Sequence, residues 1–314
     1  MKKKLVAGAV TLLSVVTLAA CANGTNKDVV TMKGDAISVS DFYDEIKTNQ
    51  GAQQVLFQMT INKVFEKEYG SKVSDKEVDK ELAKQKKQLG KQFDAYLAQQ
   101  GLTEETAKKQ IRSNMLLEYA VNQAAKKDIK ESDYKAAFES YTPEVTAQII
   151  KLNSEDKAKE VLEAAKAEGA DFAQIAKDNS TDTATKDKGG EVKFDSGTAD
   201  IPSQVKEAAF KLDENGISDV ITVSAGQNYS ASYYIVKLNK KTDKGSDWKK
   251  YEKRLKEIIV DGRKQDTNYI RSIIAKAMTN ANIKVKDDAF KSTFNQYLQN
   301  IGVQTSNSSS SSKK

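Results

Sequence analysis

The chain has 314 residues, 50 Lys and Arg against 44 Asp and Glu, a net charge of +6, one cysteine, two prolines and no histidine. The missing histidines exclude His-ligated metal sites, Ser-His-Asp triads and Cys-His dyads, and a lone cysteine excludes a disulfide framework. Charges of both signs are interspersed, without the clustered basic face that nucleic acid requires, so neither nucleic acid, metal nor cofactor is an expected partner. The length leaves room for two domains, and an Ala/Lys/Glu/Gln-rich background with Pro143 and Pro202 as its two prolines favours helix.

Met1-Lys2-Lys3-Lys4, an uncharged run from Leu5 to Leu18, and then Ala19-Ala20 supply the basic start, apolar centre and small-residue cleavage site of a secretory signal. The apolar centre is too short to span a bilayer comfortably. Cys21 directly after Leu18-Ala19-Ala20 resembles the bacterial lipobox, and it is the one cysteine of the chain. That resemblance implies removal of residues 1–20 and acylation of Cys21, with residues 21–28 as a lipidated N-terminus and a small, polar spacer.

Val29–Met32 and Ile37–Val39 around Gly34-Asp35 predict two short strands. Ser40, with Asp41, Asp44 and Glu45 behind it, predicts a helix start, and an apolar helix carrying Val55, Leu56, Met59, Val64, Phe65 and Tyr69 follows. Ser74-Asp75-Lys76-Glu77 is a capping box for a helix that carries Val78 and Leu82 and runs on toward Leu97. Another begins after Thr103, with Ala107, Ile111, Met115 and Tyr119 at four-residue steps. Tyr134, Phe138 and Tyr141 stripe a short helix that stops before Pro143. Residues 29–141 are thus an N-terminal helical segment.

At Pro143 the pattern changes. Val145–Leu152 reads as a buried strand, and Lys157–Ala167 as a helix ended by Gly169. Asp171 opens another helix, and Gly189-Gly190 leads into a strand over Val192–Phe194. A brief helix over 203–210 and strands at Ile217–Val223 and Tyr233–Leu238 complete an α+β domain over 142–240 with a small antiparallel sheet. Residues 241–300 return to helix, with Trp248, Tyr251, Leu255, Ile258 and Ile259 on one face and Tyr269, Ile270, Ile273, Ile274 and Ala277 on the next. Ile283 and Val285 alternate as a strand that could lie beside Val29–Val39. Phe290, Phe294, Tyr297 and Leu298 mark a last helix, and residues 301–314 are a Ser-rich tail expected to be disordered. The helical segments are expected to pack as one chaperone-like lobe with the α+β domain inserted between them.

Seven short motifs between Thr142 and Lys240 occur in the order found in parvulin-type peptidyl-prolyl isomerases. They are Ala147-Gln148-Ile149-Ile150, Asp171-Phe172-Ala173-Gln174-Ile175-Ala176, Ser180-Thr181-Asp182, Gly189-Gly190-Glu191-Val192, Glu207-Ala208-Ala209-Phe210-Lys211-Leu212, Gly216-Ile217-Ser218-Asp219-Val220 and Tyr233-Tyr234-Ile235-Val236. With the lipobox and the flanking helices, the whole chain resembles the PrsA-type foldase lipoproteins of Gram-positive bacteria, the streptococcal form above all.

The resemblance implies a set of site residues. The family's histidine in Ala-x-His-Ile falls at Gln148, its last-strand histidine at Tyr234, and the neighbouring acid or thiol at Asp182. The apolar wall of the proline pocket falls at Ile201, Val205 and Phe210. Gln148 and Tyr234 each offer a donor and an acceptor but not an imidazole's titration, so either a neutral network keeps residual isomerase activity or the site is vestigial. Asp182 reads equally as a turn cap.

The implied function is an extracytoplasmic foldase, lipid-anchored on the outer face of the cell membrane. Its partners would be unfolded or partly folded secreted polypeptides, and a second copy of the chain is a further candidate. A non-enzymatic surface holdase or adhesin on the same fold is the alternative. A solute-binding lipoprotein would show alternating strand–helix units in two lobes, and this chain does not.

Overall fold

The computed structural model describes residues 27–225 and 230–298. The signal segment, Cys21 and the tail over 301–314 lie outside the described residues. The chain divides into two compact units: the described residues up to Ser71 with those from Ile274 onward, and Lys72–Ile273.

The N-terminal part of the first unit begins with an antiparallel pair, β1 (Asp28–Met32) and β2 (Asp35–Ser38), turned by Gly34 at φ +87°. Helix α1 (Val39–Ile46) starts two residues earlier than the sequence predicts. Ser38, extended, accepts from the Asp41 N–H while Asp41 accepts from the Ser38 N–H, which closes a capping box. Helix α2 (Gln50–Tyr69) follows from the Asn49 cap and buries Phe57, Ile61, Val64 and Phe65.

In the second unit, α3 (Asp75–Leu89) opens on the expected Ser74–Glu77 box but does not reach Leu97. Gly90 at φ +52° breaks it, and α4 (Phe93–Gln99) resumes after a single tight turn. Helices α5 (Glu104–Lys127, capped by Thr103) and α6 (Glu131–Ser140) follow.

The sheet then forms from β3 (Val145–Leu152), β4 (Glu191–Phe194), β5 (Ile221–Ala225) and β6 (Ser230–Lys240), in the order β4-β3-β6-β5, antiparallel throughout. Residues 217–220 precede β5 and contribute only a bridge from Ile217 to Lys237. Helices α7 (Glu155–Lys166) and α8 (Phe172–Asn179) cover one face, where Ile150, Leu152 and Ile235 meet Ala158, Val161, Phe172 and Ala176. Helix α9 (Ser203–Lys211) covers the other, where Val145, Ala147, Ile149, Val236 and Leu238 meet Val205 and Ala209.

Helix α10 (Glu252–Gln265) packs against α5 and α6. The Tyr134/Phe138/Tyr141 stripe is core packing: Tyr134 stacks on Trp248 at 5.0 Å, and Phe138 and Tyr141 meet Tyr251 at 6.0 and 5.2 Å. In the second compact unit α3–α6 and α10 cluster with the sheet.

Helix α11 (Thr267–Asn280) runs across the division at Ile274. After it, the expected strand at Ile283/Val285 is not formed. Asn282 turns into the left-handed region at φ +53°, and Ile283 donates back to the Met278 carbonyl at 3.2 Å, so that N–H closes a helix end instead of a ladder. Helix α12 (Lys291–Leu298) completes the first unit: Phe57 stacks on Tyr297 at 4.3 Å and meets Phe294 edge-on at 5.4 Å.

Candidate functional site

Strand alternation decides where the family's site positions go. On β3, Ala147 and Ile149 enter the core under α9, so Gln148 between them belongs to the α7/α8 side. It stands opposite Lys237 on β6 and Glu191 on β4, and its Nε2 donates to the Gly189 carbonyl at 3.0 Å. Tyr234 stands opposite Lys151 and Ile221 and packs against the α9-side core. Gln148 and Tyr234 are thus three rungs apart on opposite faces, and their side chains do not form a pair.

Asp182 closes its own turn. One carboxylate oxygen accepts from the Ala184 N–H at 3.1 Å and the other from the Thr185 hydroxyl at 2.6 Å, while the Asp182 carbonyl accepts from the Lys186 N–H at 2.9 Å. The segment before it is tied to β3 at Lys151. Thr181 donates N–H to the Lys151 carbonyl at 2.8 Å, and the Ser180 hydroxyl accepts from the Lys151 N–H at 3.2 Å. Asp182 therefore follows the rung that carries Tyr234, not the one that carries Gln148.

Ile201, Val205 and Phe210 all belong to the α9-side core, the face that also holds Tyr234. Val205 is fully buried, so it supports the face from beneath, while Ile201 and Phe210 are partly exposed; the Phe210 ring lies 5.8 Å from Phe194. Such a face can seat a pyrrolidine ring and strip water from the amide before it. Rotation about an X-Pro bond requires no nucleophile, only relief of a barrier of ~18–20 kcal/mol.

Sequence reasoning missed a polar cluster beside the sheet. Asp195, 6 % exposed, is held by both arms of Arg254 at 2.6 and 2.8 Å and also accepts from the Tyr141 and Thr198 hydroxyls and the Gly197 N–H. Burial by itself would raise the Asp195 carboxyl, but the guanidinium, Thr198 and Tyr141 outweigh it and hold it below the ordinary value. Burial first, then the Asp195 charge, pushes the Tyr141 hydroxyl well up. The available signals were the Asx-turn composition of Asp195-Ser196-Gly197-Thr198 and an arginine among cations that are mostly lysine.

The model of the Rotamase family, the PPIC-type PPIASE domain, matches residues 142–240. The foldase protein PrsA of Streptococcus sanguinis is 61% identical over 302 residues, covering 96% of this chain and 90% of the relative. That of Streptococcus gordonii is 59% identical over the full length of both. The chain belongs to the PrsA foldase family. The crystal structure of foldase protein PrsA from Streptococcus pneumoniae is 54% identical, with a TM-score of 0.79, covering 86% of this chain and 99% of that one. The PrsA structure from Lactococcus lactis is 38% identical with a TM-score of 0.65, covering 87% and 99%. The α+β fold, a parvulin domain with its small antiparallel sheet between helical N- and C-terminal segments, is therefore the family's.

Proposed function

We propose that this PrsA foldase is tethered by lipid to the outer face of a Gram-positive cell membrane and receives secreted polypeptides before they finish folding, with a prolyl isomerase centre of low turnover. The observation that carries the last point is the split of the site. Ile201, Phe210 and Tyr234 retain an apolar face for proline, whereas Gln148 is spent on the Gly189 carbonyl of the opposite face and Asp182 on its own turn. A preorganised polar network at the amide contributes about 2–4 kcal/mol to a transition state of this kind.

Turnover on a prolyl tetrapeptide, measured by NMR exchange, is accordingly expected at least tenfold below that of a parvulin with both histidines. Tyr234→His, which puts an imidazole on the apolar face itself, is expected to raise it. Native turnover equal to that of such a parvulin would refute the reading. A non-enzymatic holdase or adhesin, the second reading, predicts no acceleration at all, and the internal satisfaction of Gln148 and Asp182 favours it over full activity.

The anchor rests on the sequence around Cys21. One acyl chain gives only marginal membrane binding, at ~0.8 kcal/mol per buried CH₂, so a stable tether requires two or more. Cys21→Ala is expected to release the protein into the medium or to leave an uncleaved precursor, as fractionation and immunoblotting would reveal; processed protein still bound to the cell would refute the tether. No helix among the described residues is long and apolar enough to cross a membrane.

A second copy of the chain is the further partner of this reading. Supporting it, Val29, Val30, Met32 and Phe42 on β1 and α1 are each about half exposed, and α1 buries none of its residues.

A further inference from the structure

We infer that Lys151 selects prolyl segments that carry a carboxylate beside the proline. The inference rests on the parvulin domain's binding peptides at its α9-side face and adds the chemistry of what is bound there. Three strands place Lys151, Tyr234 and Ile221 in one row: Lys151 on β3 pairs with Tyr234 on β6, which pairs with Ile221 on β5. The row lies on the face that Ile201 and Phe210 share, two rungs beyond the buried Ile149/Val236 pair.

The Lys151 side chain is partly buried, and its Nζ lies 5.9 Å from the centre of the Tyr234 ring. Among the described residues it makes no ion pair. Asp182, which follows the Ser180-Thr181 segment bonded to Lys151, is turned inward to Ala184 and Thr185. The Lys151 backbone is held on both sides, its N–H by Ser180 and its carbonyl by Thr181, so the root of the side chain is fixed. A cation steadied by an aromatic ring, uncompensated, at the rim of an apolar face offers a charge-assisted hydrogen bond to an acidic side chain while the proline occupies the face. A basic residue there would meet like charge.

The test uses the mature chain and four tetrapeptides, Ala-Glu-Pro-Phe, Ala-Gln-Pro-Phe, Ala-Lys-Pro-Phe and Ala-Ala-Pro-Glu, with Kd from NMR titration and the cis–trans exchange rate from the same samples. One of the two Glu peptides is expected to bind about three- to tenfold more tightly than the Lys peptide at low salt, with the ratio shrinking as salt is raised. Lys151→Met should bring the ratio to within twofold of unity, and Lys151→Glu should invert it. A wild-type ratio below two, a preference that survives Lys151→Met, or no binding of any peptide overturns the inference. Preferential binding without accelerated exchange leaves the selection by Lys151 standing and removes the catalytic part of the proposed function. Accelerated exchange without preference does the reverse.

Discussion

Arg254→Met is expected to destabilise the Lys72–Ile273 unit by about 3–5 kcal/mol, because it leaves the Asp195 carboxylate buried without its counter-charge. Methionine retains most of the arginine stem's packing, so the loss reports the charge rather than a cavity. Asp195→Asn in the same chain keeps the one acceptor oxygen that Thr198 and Gly197 share, offers the Tyr141 hydroxyl an amide N–H to accept, and is expected to recover a large part of the loss. Urea unfolding of the single and double variants measures both; a single-variant cost below about 1 kcal/mol would mean that the pair is solvated in solution.

The pH dependence has a definite sign. Asp195 is lowered in the fold, so its contribution is present above the ordinary carboxylate value of about 4 and is lost as pH falls through the lowered one. Tyr141 is raised, so its contribution is complete below about 10 and is lost as pH rises beyond that. Arg254→Met should flatten the acid limb of the stability profile.

Gly190→Ala is expected to cost on the order of 3 kcal/mol and to loosen β4 from β3. Gly190 sits at φ +78°, and a Cβ there would lie 2.5 Å from the Ile149 carbonyl oxygen and 3.0 Å from its nitrogen. Both clashes are with backbone, in a rung where Ile149 donates to the Gly190 carbonyl at 2.9 Å, so no rotamer change relieves them. The displacement would also carry away the Gly189 carbonyl that Gln148 holds. Gly34→Ala is the control: φ is +87°, but nothing lies within 4 Å of the added methyl, so only the backbone cost of roughly 1 kcal/mol remains. Equal losses at the two glycines, by thermal melting, would show that the close approach at Ile149 is relieved in solution.

Local chemistry made much of this protein legible without coordinates. The capping box at Ser74, the helix starts after Thr103 and at Asp171, and the change of period at Pro143 are short-range signals, and the elements they predict are present because their hydrogen bonds close within a few residues. The seven ordered motifs over 142–240 identified the parvulin domain for the same reason: each marks a turn, a cap or a core position that the fold requires locally. Where local signals compete, the sequence was ambiguous. Ile283 and Val285 alternate as a strand does, but Asn282 and Ile283 satisfy the end of α11 first, and the ladder has no donor left there. The site depended on pairing that no spacing reveals. Only the register of β3 against β6 sends Gln148 to Gly189 under one layer of helices and Tyr234 to Lys151 under the other. Likewise, Asp195 and Arg254 are far apart in the chain, and their pairing exists because the sheet and α10 bury the space between them. The sequence by itself determined the family, the domain type and which residues, Gln148, Asp182 and Tyr234, stand at the compared positions, since these are carried by residue type and order. Tertiary structure alone decided which of those residues share a face, because strand register and burial are set by contacts between segments distant in sequence.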